Sequence, residues 1–386
     1  MKRIAVVTAT RAEYGLLSPV VKGLRKQETE ELRVELIVTG THLSDKYGRT
    51  IEEINDRIDH EIEISVASES ELDISKNQAE ALVKFTELFD RVKYNAVLLL
   101  GDRYETLAVA IAAGNTRTPI FHLCGGDTTE GALDEWIRHS ITKISYLHFV
   151  TNEESRKRVI QLGEHPSRVF NYGSTSIDNI LTIADMSKVE ALESIGVSDC
   201  HFALCTYHPV TMEGGSVDTQ IEEFLNAIKA FPDLQFIVTK SNADQGGARI
   251  NELLDEAEQK IGNLHVFTSL GVRRYLSLMK YSEFVLGNSS SGIIETPAFH
   301  VPTVNIGDRQ RGRLQAKSII NCGTSSEEIE SAVRKAMTVE HKEICKMVIS
   351  AFGDGHAAEL ISKKSVDVVL SESIELKKMF YDLGDQ

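Results

Sequence analysis

No stretch of this chain approaches the roughly 18 consecutive apolar residues that a membrane-crossing helix needs. Cysteine is scarce: Cys124, Cys200, Cys205, Cys322 and Cys345 form an odd set without a CxxC pair or a metal-ligand spacing, which speaks against both a disulfide framework and a zinc site. With only 7 prolines and 26 glycines among 386 residues, the chain is not low-complexity or disordered. Positive charge is in deficit, 42 Lys and Arg against 57 Asp and Glu, so phosphate-driven binding to nucleic acid or to an acidic membrane is not expected. Neither the GxxxxGK[ST] loop of an NTPase nor the GxSxG elbow of a hydrolase occurs. The opening MKRIAVVTAT has an apolar run of about five residues with no small-residue cleavage site after it, so it reads as a buried strand and not a secretory leader, and a cytoplasmic protein is expected.

What is present is strand and helix in alternation. Residues 4–7, 34–38, 96–100, 120–123 and 147–150 are short apolar runs, suited to strands buried on both faces of a parallel sheet. Between them, 17–24, 79–89, 105–113 and 135–144 carry apolar residues at helical spacing. A second series of strands, 202–206, 235–238, 264–267, 284–286 and 303–306, alternates with amphipathic stretches such as 218–230 and 273–279. The polar segment 177–200 is the expected junction. The expected fold is α/β, with two Rossmann-like domains facing a cleft. One covers 1–178 and the other 179–365. In open parallel sheets ligands bind beyond the carboxyl ends of the strands, so the residues there are the candidates for chemistry.

The first strand leads into TATRAEYG, in which Arg11 and small residues open a helix that can meet an anion. The third leads into Gly101-Asp102-Arg103-Tyr104-Glu105, three ionisable side chains that are costly to desolvate unless they have a task. The fourth ends in His122-Leu123-Cys124-Gly125-Gly126-Asp127, and the helix beyond it sets Asp134 and Arg138 four residues apart on one face, with Glu135 and His139 on the next. In the second half, His208 lies in YHPVT, and Asn242 and Asp244 lie in a turn rich in Asn, Asp and Gly. Gly287-Asn288-Ser289-Ser290-Ser291-Gly292 enters a helix carrying Glu295, a cradle for a diphosphate with an acceptor for ribose hydroxyls. NIGDRQRGR follows, with three arginines suited to phosphate, Arg309 among them.

Taken in order from Thr8 to Arg313, TATRAEYG, GDRYE, GGD with DEWIRHSITK, YHPVT, SNAD, GNSSSGIIE and NIGDRQRGR resemble the hydrolysing UDP-N-acetylglucosamine 2-epimerases of sialic-acid biosynthesis. The resemblance implies a glycosyltransferase-B-like fold in which the C-terminal helix over 366–386 crosses back to complete the first domain, and release of N-acetylmannosamine and UDP without a metal or other cofactor. It implies a UDP-sugar as the partner, no nucleic acid and no membrane, and a homodimer or homotetramer. Its nucleotide positions fall on His208, Asn242, Asp244, Ser289, Ser290, Glu295 and Arg309, joined by Arg11 and by Arg103 near the sugar. Its acid/base carboxylates fall on Asp102 and Asp134, with His208 beside the diphosphate. Many members carry a glutamate where this chain has Cys124, and Asp127 or His122 stands as the substitute. Sister enzymes that hydrolyse nucleotide-linked 2,4-diacetamido-2,4,6-trideoxy sugars on the way to legionaminic acid share these motifs. A nucleotide-sugar binding protein without catalysis, and a retaining glycosyltransferase of the same fold, are the readings from other classes.

Overall fold

The computed structural model describes residues 1–384 apart from 67–69, 130–132, 210–216, 242–246 and 372–373. Two compact units emerge, one made of Met1–Thr128, Ala132–Asp178 and Phe352–Gln386, the other built around Asn179–Ala351.

The first unit holds strands β1 (Lys2–Thr8), β2 (Leu32–Thr39), β3 (His60–Ile62), β4 (Ala96–Leu100), β5 (Ile120–Leu123), β6 (Leu147–Val150) and β7 (Val169–Asn171). They form one sheet in the order β3-β2-β1-β4-β5-β6-β7, and every pairing is parallel. Its helices include α1 (Arg11–Arg25), α2 (Glu71–Val92), α3 (Tyr104–Asn115), α4 (Leu133–Ile144) and α5 (Glu153–Gln161). Along β1 the side chains alternate between two cores: Ile4 and Val6 pack with Leu17, Leu24 and Leu98, while Ala5 and Val7 pack with Phe85, Phe89 and Leu99. Burial on both faces is what an unbroken apolar strand sequence requires, and it confines polar chemistry to the strand ends.

The second unit repeats the plan with β8 (Phe202–Thr206), β9 (Gln235–Thr239), β10 (Leu264–Phe267), β11 (Val285–Gly287), β12 (Thr303–Ile306) and β13 (Ile319–Cys322). Its parallel order is β10-β9-β8-β11-β12-β13. Starting from a central strand, winding outward one way and then the other, both sheets reverse beside their first strand, the arrangement of Rossmann-like domains.

Three strands, β3, β7 and β13, were not expected from the sequence, and all are sheet edges. The last helix also differs from expectation. It runs over Ala357–Ser371, not 366–386, and belongs to the first unit, where Ala357, Ala358, Ile361, Val366, Val368 and Val369 join the core of β1. Beyond it, residues 374–380 carry no helix.

Candidate functional site

In the first unit the polar residues gather after β1, β4 and β5. The turn after β1 closes with a capping box: the Thr10 hydroxyl accepts from the Glu13 amide at 3.3 Å, while Glu13 Oε2 accepts from the amides of Ala9 at 2.8 Å and Thr10 at 3.2 Å. The amides of Ala9 and Thr10, just ahead of the helix, are thus occupied by the chain's own carboxylate. Burial pushes the Glu13 carboxyl up to about 7, against the opposing pull of Arg103. Arg11 opens α1 with a half-exposed side chain 3.6 Å from Glu53.

After β4, Asp102 forms an ion pair with Arg138 of α4. Arg138 is 2% exposed; it also donates to the Asp127 carbonyl at 2.8 Å and pairs with Glu135 at 3.3 Å. Burial works against its charge, but Asp102 foremost, then Asp127 and Glu135, keep it protonated. Arg103 turns the other way, with Nε 3.3 Å from Glu105, which is 1% exposed. Glu105 and Glu13 outweigh the burial of Arg103 and raise its pKa.

After β5, His122 is fully buried, and burial pushes its imidazole down to about 3. Nε2 lies 2.9 Å from the Gly101 carbonyl, which can only accept, so Nε2 carries the proton and Nδ1 accepts from the Thr142 hydroxyl at 3.3 Å. A neutral ring with both nitrogens engaged is a strut between β4, β5 and α4. Cys124 has a left-handed backbone, φ 63°, and its amide donates to the Phe149 carbonyl at 2.9 Å. Asp127 Oδ1 accepts from Thr151 Oγ1 at 2.9 Å and Ser155 Oγ at 2.5 Å. Asp134 sits in the first turn of α4, exposed, one turn before Arg138.

In the second unit Asn288, fully buried, is the organiser. Its Oδ1 accepts from the His208 amide and its Nδ2 donates to the His208 carbonyl, both at 2.8 Å. Its own carbonyl accepts from Arg309 Nη1 at 3.0 Å and Gln310 Nε2 at 2.8 Å. One side chain and its peptide therefore lock the ends of β8, β11 and β12 together. His208 Nδ1 lies 3.1 Å from Ser241 Oγ, and burial, with Arg309 beside it, pushes the imidazole down to about 3. Gly287 permits the close approach of β11 to β8: its φ is 137°, and a Cβ would lie 2.0 Å from the Thr206 carbonyl oxygen. Ser289 and Ser290 follow, half-buried, before two four-residue helices, Ser291–Ile294 and Thr296–Phe299. The expected single helix is broken at Glu295, whose carboxyl burial pushes up to about 7 against a hydrogen bond from Ser291.

His208, Ser289, Ser290, Glu295 and Arg309 therefore belong to one group of adjoining strand ends, and Asp102, Asp127 and Asp134 belong with Arg138 in the other. Asn242 and Asp244 lie outside the described residues. Sequence reasoning assigned no task to Glu13, Asn288 or Thr142; only Glu13 had a local signal, the T-x-x-E spacing from Thr10. Among the described residues no group of three or more His, Cys, Asp or Glu is arranged to hold a metal ion, and no helix is long and apolar enough to cross a membrane.

Residues 24–364 match the family described as UDP-N-acetylglucosamine 2-epimerase. The chain is 39% identical over 348 residues to a hydrolysing GDP/UDP-N,N'-diacetylbacillosamine 2-epimerase of Campylobacter jejuni, covering 89% of each chain. It is 37% identical over 393 residues to the polysialic acid biosynthesis protein P7 of Escherichia coli, covering all of this chain and 98% of the other. Its fold superposes on the crystal structure of a Neisseria meningitidis UDP-GlcNAc 2-epimerase bound to UDP-GlcNAc with a TM-score of 0.82 at 18% identity, covering 95% of this chain and all of that one.

Proposed function

This chain belongs to the UDP-N-acetylglucosamine 2-epimerase family, and from that membership we propose that it is a hydrolysing 2-epimerase converting UDP-N-acetylglucosamine and water to N-acetylmannosamine and UDP. The observation that carries this reading is full-length likeness to P7, a polysialic acid biosynthesis protein, together with a buried arginine that holds the strand-end carboxylate of Asp102.

The chemistry starts from an unreactive C–H bond. The C2 proton of a 2-acetamido sugar is not α to a carbonyl, so one base cannot simply racemise it. If the C1–O bond to the diphosphate breaks ahead of proton loss, positive charge at C1 acidifies C2–H. A carboxylate takes that proton, the C1=C2 bond forms, and UDP leaves as the anion. Water then adds its oxygen to C1 while an acid returns a proton to the opposite face of C2, giving the free 2-epimeric sugar.

We assign proton transfer to Asp102 and Asp134. Arg138 orients Asp102 through their ion pair; Asp134, exposed one turn earlier on α4, is the complementary acid or base. His122 serves as a strut, since both nitrogens are engaged, and the two hydroxyls on Asp127 Oδ1 support a role in holding the turn after β5. Departure of UDP falls to Arg309, His208, Ser289 and Ser290, with Glu295 on the ribose, Asn242 and Asp244 alongside, and Arg11 and Arg103 as further cations. The scheme calls on no metal or redox cofactor. A UDP-linked 2,4-diacetamido trideoxy sugar is the second reading for the substrate, supported by the likeness to the Campylobacter diacetylbacillosamine 2-epimerase.

The two assignments separate by mutation. Asp102→Asn is expected to lower kcat by about a thousandfold, within the range for loss of a general acid/base, while UDP binds within about twofold of the parent. Arg309→Ala and Ser290→Ala are expected to weaken UDP binding, Arg309→Ala by at least about tenfold. Near-normal turnover in Asp102→Asn, or unchanged UDP affinity in both other variants, contradicts the assignment.

A further inference from the structure

The segment after the last helix is pinned to the first unit by one side chain. Lys378 Nζ donates to the Lys143 carbonyl at 2.8 Å, the Ser145 carbonyl at 2.7 Å and both oxygens of Glu164 at 2.8 Å. Glu164 is 1% exposed and is also met by Lys143 Nζ at 2.7 Å and His148 Nε2 at 3.0 Å. Around this anchor, the Tyr381 amide donates to the Gly163 carbonyl at 3.0 Å, and the Phe380 ring occupies the space beside Gly163 where a Cβ would come within 2.3 Å of it. The Lys143 ammonium lies 5.0 Å from the Phe380 ring centre.

Lys143 is in the last turn of α4 and Ser145 follows its last residue, so both carbonyls lie at the end where a helix cannot satisfy its own acceptors and where a cation is favoured. An ammonium arriving from 235 residues along the chain therefore caps the helix that carries Asp134 and Arg138. One residue inside that cap, Thr142 holds His122, and His122 holds the Gly101 carbonyl, the peptide next to Asp102. Both candidate carboxylates thus depend on where the end of α4 sits.

We propose that Lys378 is a positioning residue for the reaction: by capping α4 and neutralising Glu164 it fixes the helix on which Asp134 and Arg138, and through Arg138 Asp102, are aligned. This rests on the proposed assignment of Asp102 and Asp134. It places a determinant of turnover in a C-terminal segment far along the chain from the strand-end residues assigned to the nucleotide.

The test compares Lys378→Met and Lys378→Arg with the parent full-length protein. Lys378→Met is expected to lower kcat about tenfold with KM and UDP affinity within about twofold, and Lys378→Arg, which keeps the cation, to recover most of that loss. Amide hydrogen exchange over residues 141–147 is expected to quicken in Lys378→Met and return toward the parent in Lys378→Arg. If Lys378→Met does not fold, Phe380→Ala, which loosens the same segment but keeps the ammonium, is expected to show the same pattern. Parental kcat and exchange in the variants overturn the proposal, as does a kcat loss matched by equal losses of UDP affinity and unfolding midpoint. A parent protein inactive on both sugar nucleotides counts against the proposed function instead, and the exchange comparison, which needs no substrate, still decides the hold on α4.

Discussion

Arg138 and Glu13 show how burial turns ordinary side chains into constraints. Arg138, nearly sealed from solvent, stays charged because carboxylates surround it, so Asp102 is held in one place instead of sampling solvent. Glu13 is the opposite case, a carboxyl whose burial dominates its environment. Its folded pKa of about 7 lies above the ordinary 4.5, so the folded state binds the extra proton and its stabilising contribution is present below about 4.5 and lost as pH rises to about 7. Glu13→Gln keeps an acceptor for the Ala9 and Thr10 amides but cannot ionise. We expect the unfolding free energy of the parent to fall more steeply than that of Glu13→Gln between pH 5 and 7, by up to about 1.4 kcal/mol per pH unit. Parallel curves would show that Glu13 does not carry its proton into that range. The ionisable residues after the strands were legible in the sequence, because charge directly after an apolar strand is conspicuous. Their partners were not: the pairing of Asp102 with Arg138 spans 36 residues, and that of His208 with Asn288 spans 80.

At the level of elements, the buried central strands could be read, and of the four edge strands only β10 could. A strand buried on both faces must be apolar at every position, whereas β3, β7 and β13, with sequences HEI, VFN and IINC, each have one flank without a partner strand and admit polar residues. The end of β11 was legible as a glycine-led turn, but why glycine is required there came only from the pairing of Gly287 with Thr206 on β8. Gly287→Ala is accordingly expected to cost about 3 kcal/mol or more, since it adds both a positive-φ penalty and a clash with main chain that cannot rotate away. Chemical denaturation measures this directly, and a change below about 1 kcal/mol would mean that β11 can shift from β8 at little cost. The final helix begins ahead of its expected range because the apolar positions that pack on β1 begin at Ala357.

For the whole molecule, two sheets of the same winding order carry unlike chemistry at their strand ends. Carboxylates anchored by a buried arginine mark the first unit, and an asparagine lock with a serine-rich turn and an arginine marks the second. This division was legible because each motif sits directly after a strand, and the order of motifs pointed to the family to which the chain belongs. The sugar itself was not legible, since a substituent at C4 is discriminated by the shape of a pocket and not by the acid/base residues the motifs contain.

The most direct measurement is a proton NMR time course in D2O with UDP-N-acetylglucosamine, followed under the same conditions by a UDP-linked 2,4-diacetamido trideoxy sugar. The account predicts release of UDP together with free N-acetylmannosamine carrying deuterium at C2, because the proton lost in elimination is replaced from solvent. Turnover of the second compound alone transfers the same mechanism to the second substrate. UDP release with the C2 proton retained, or UDP binding without either product, contradicts it.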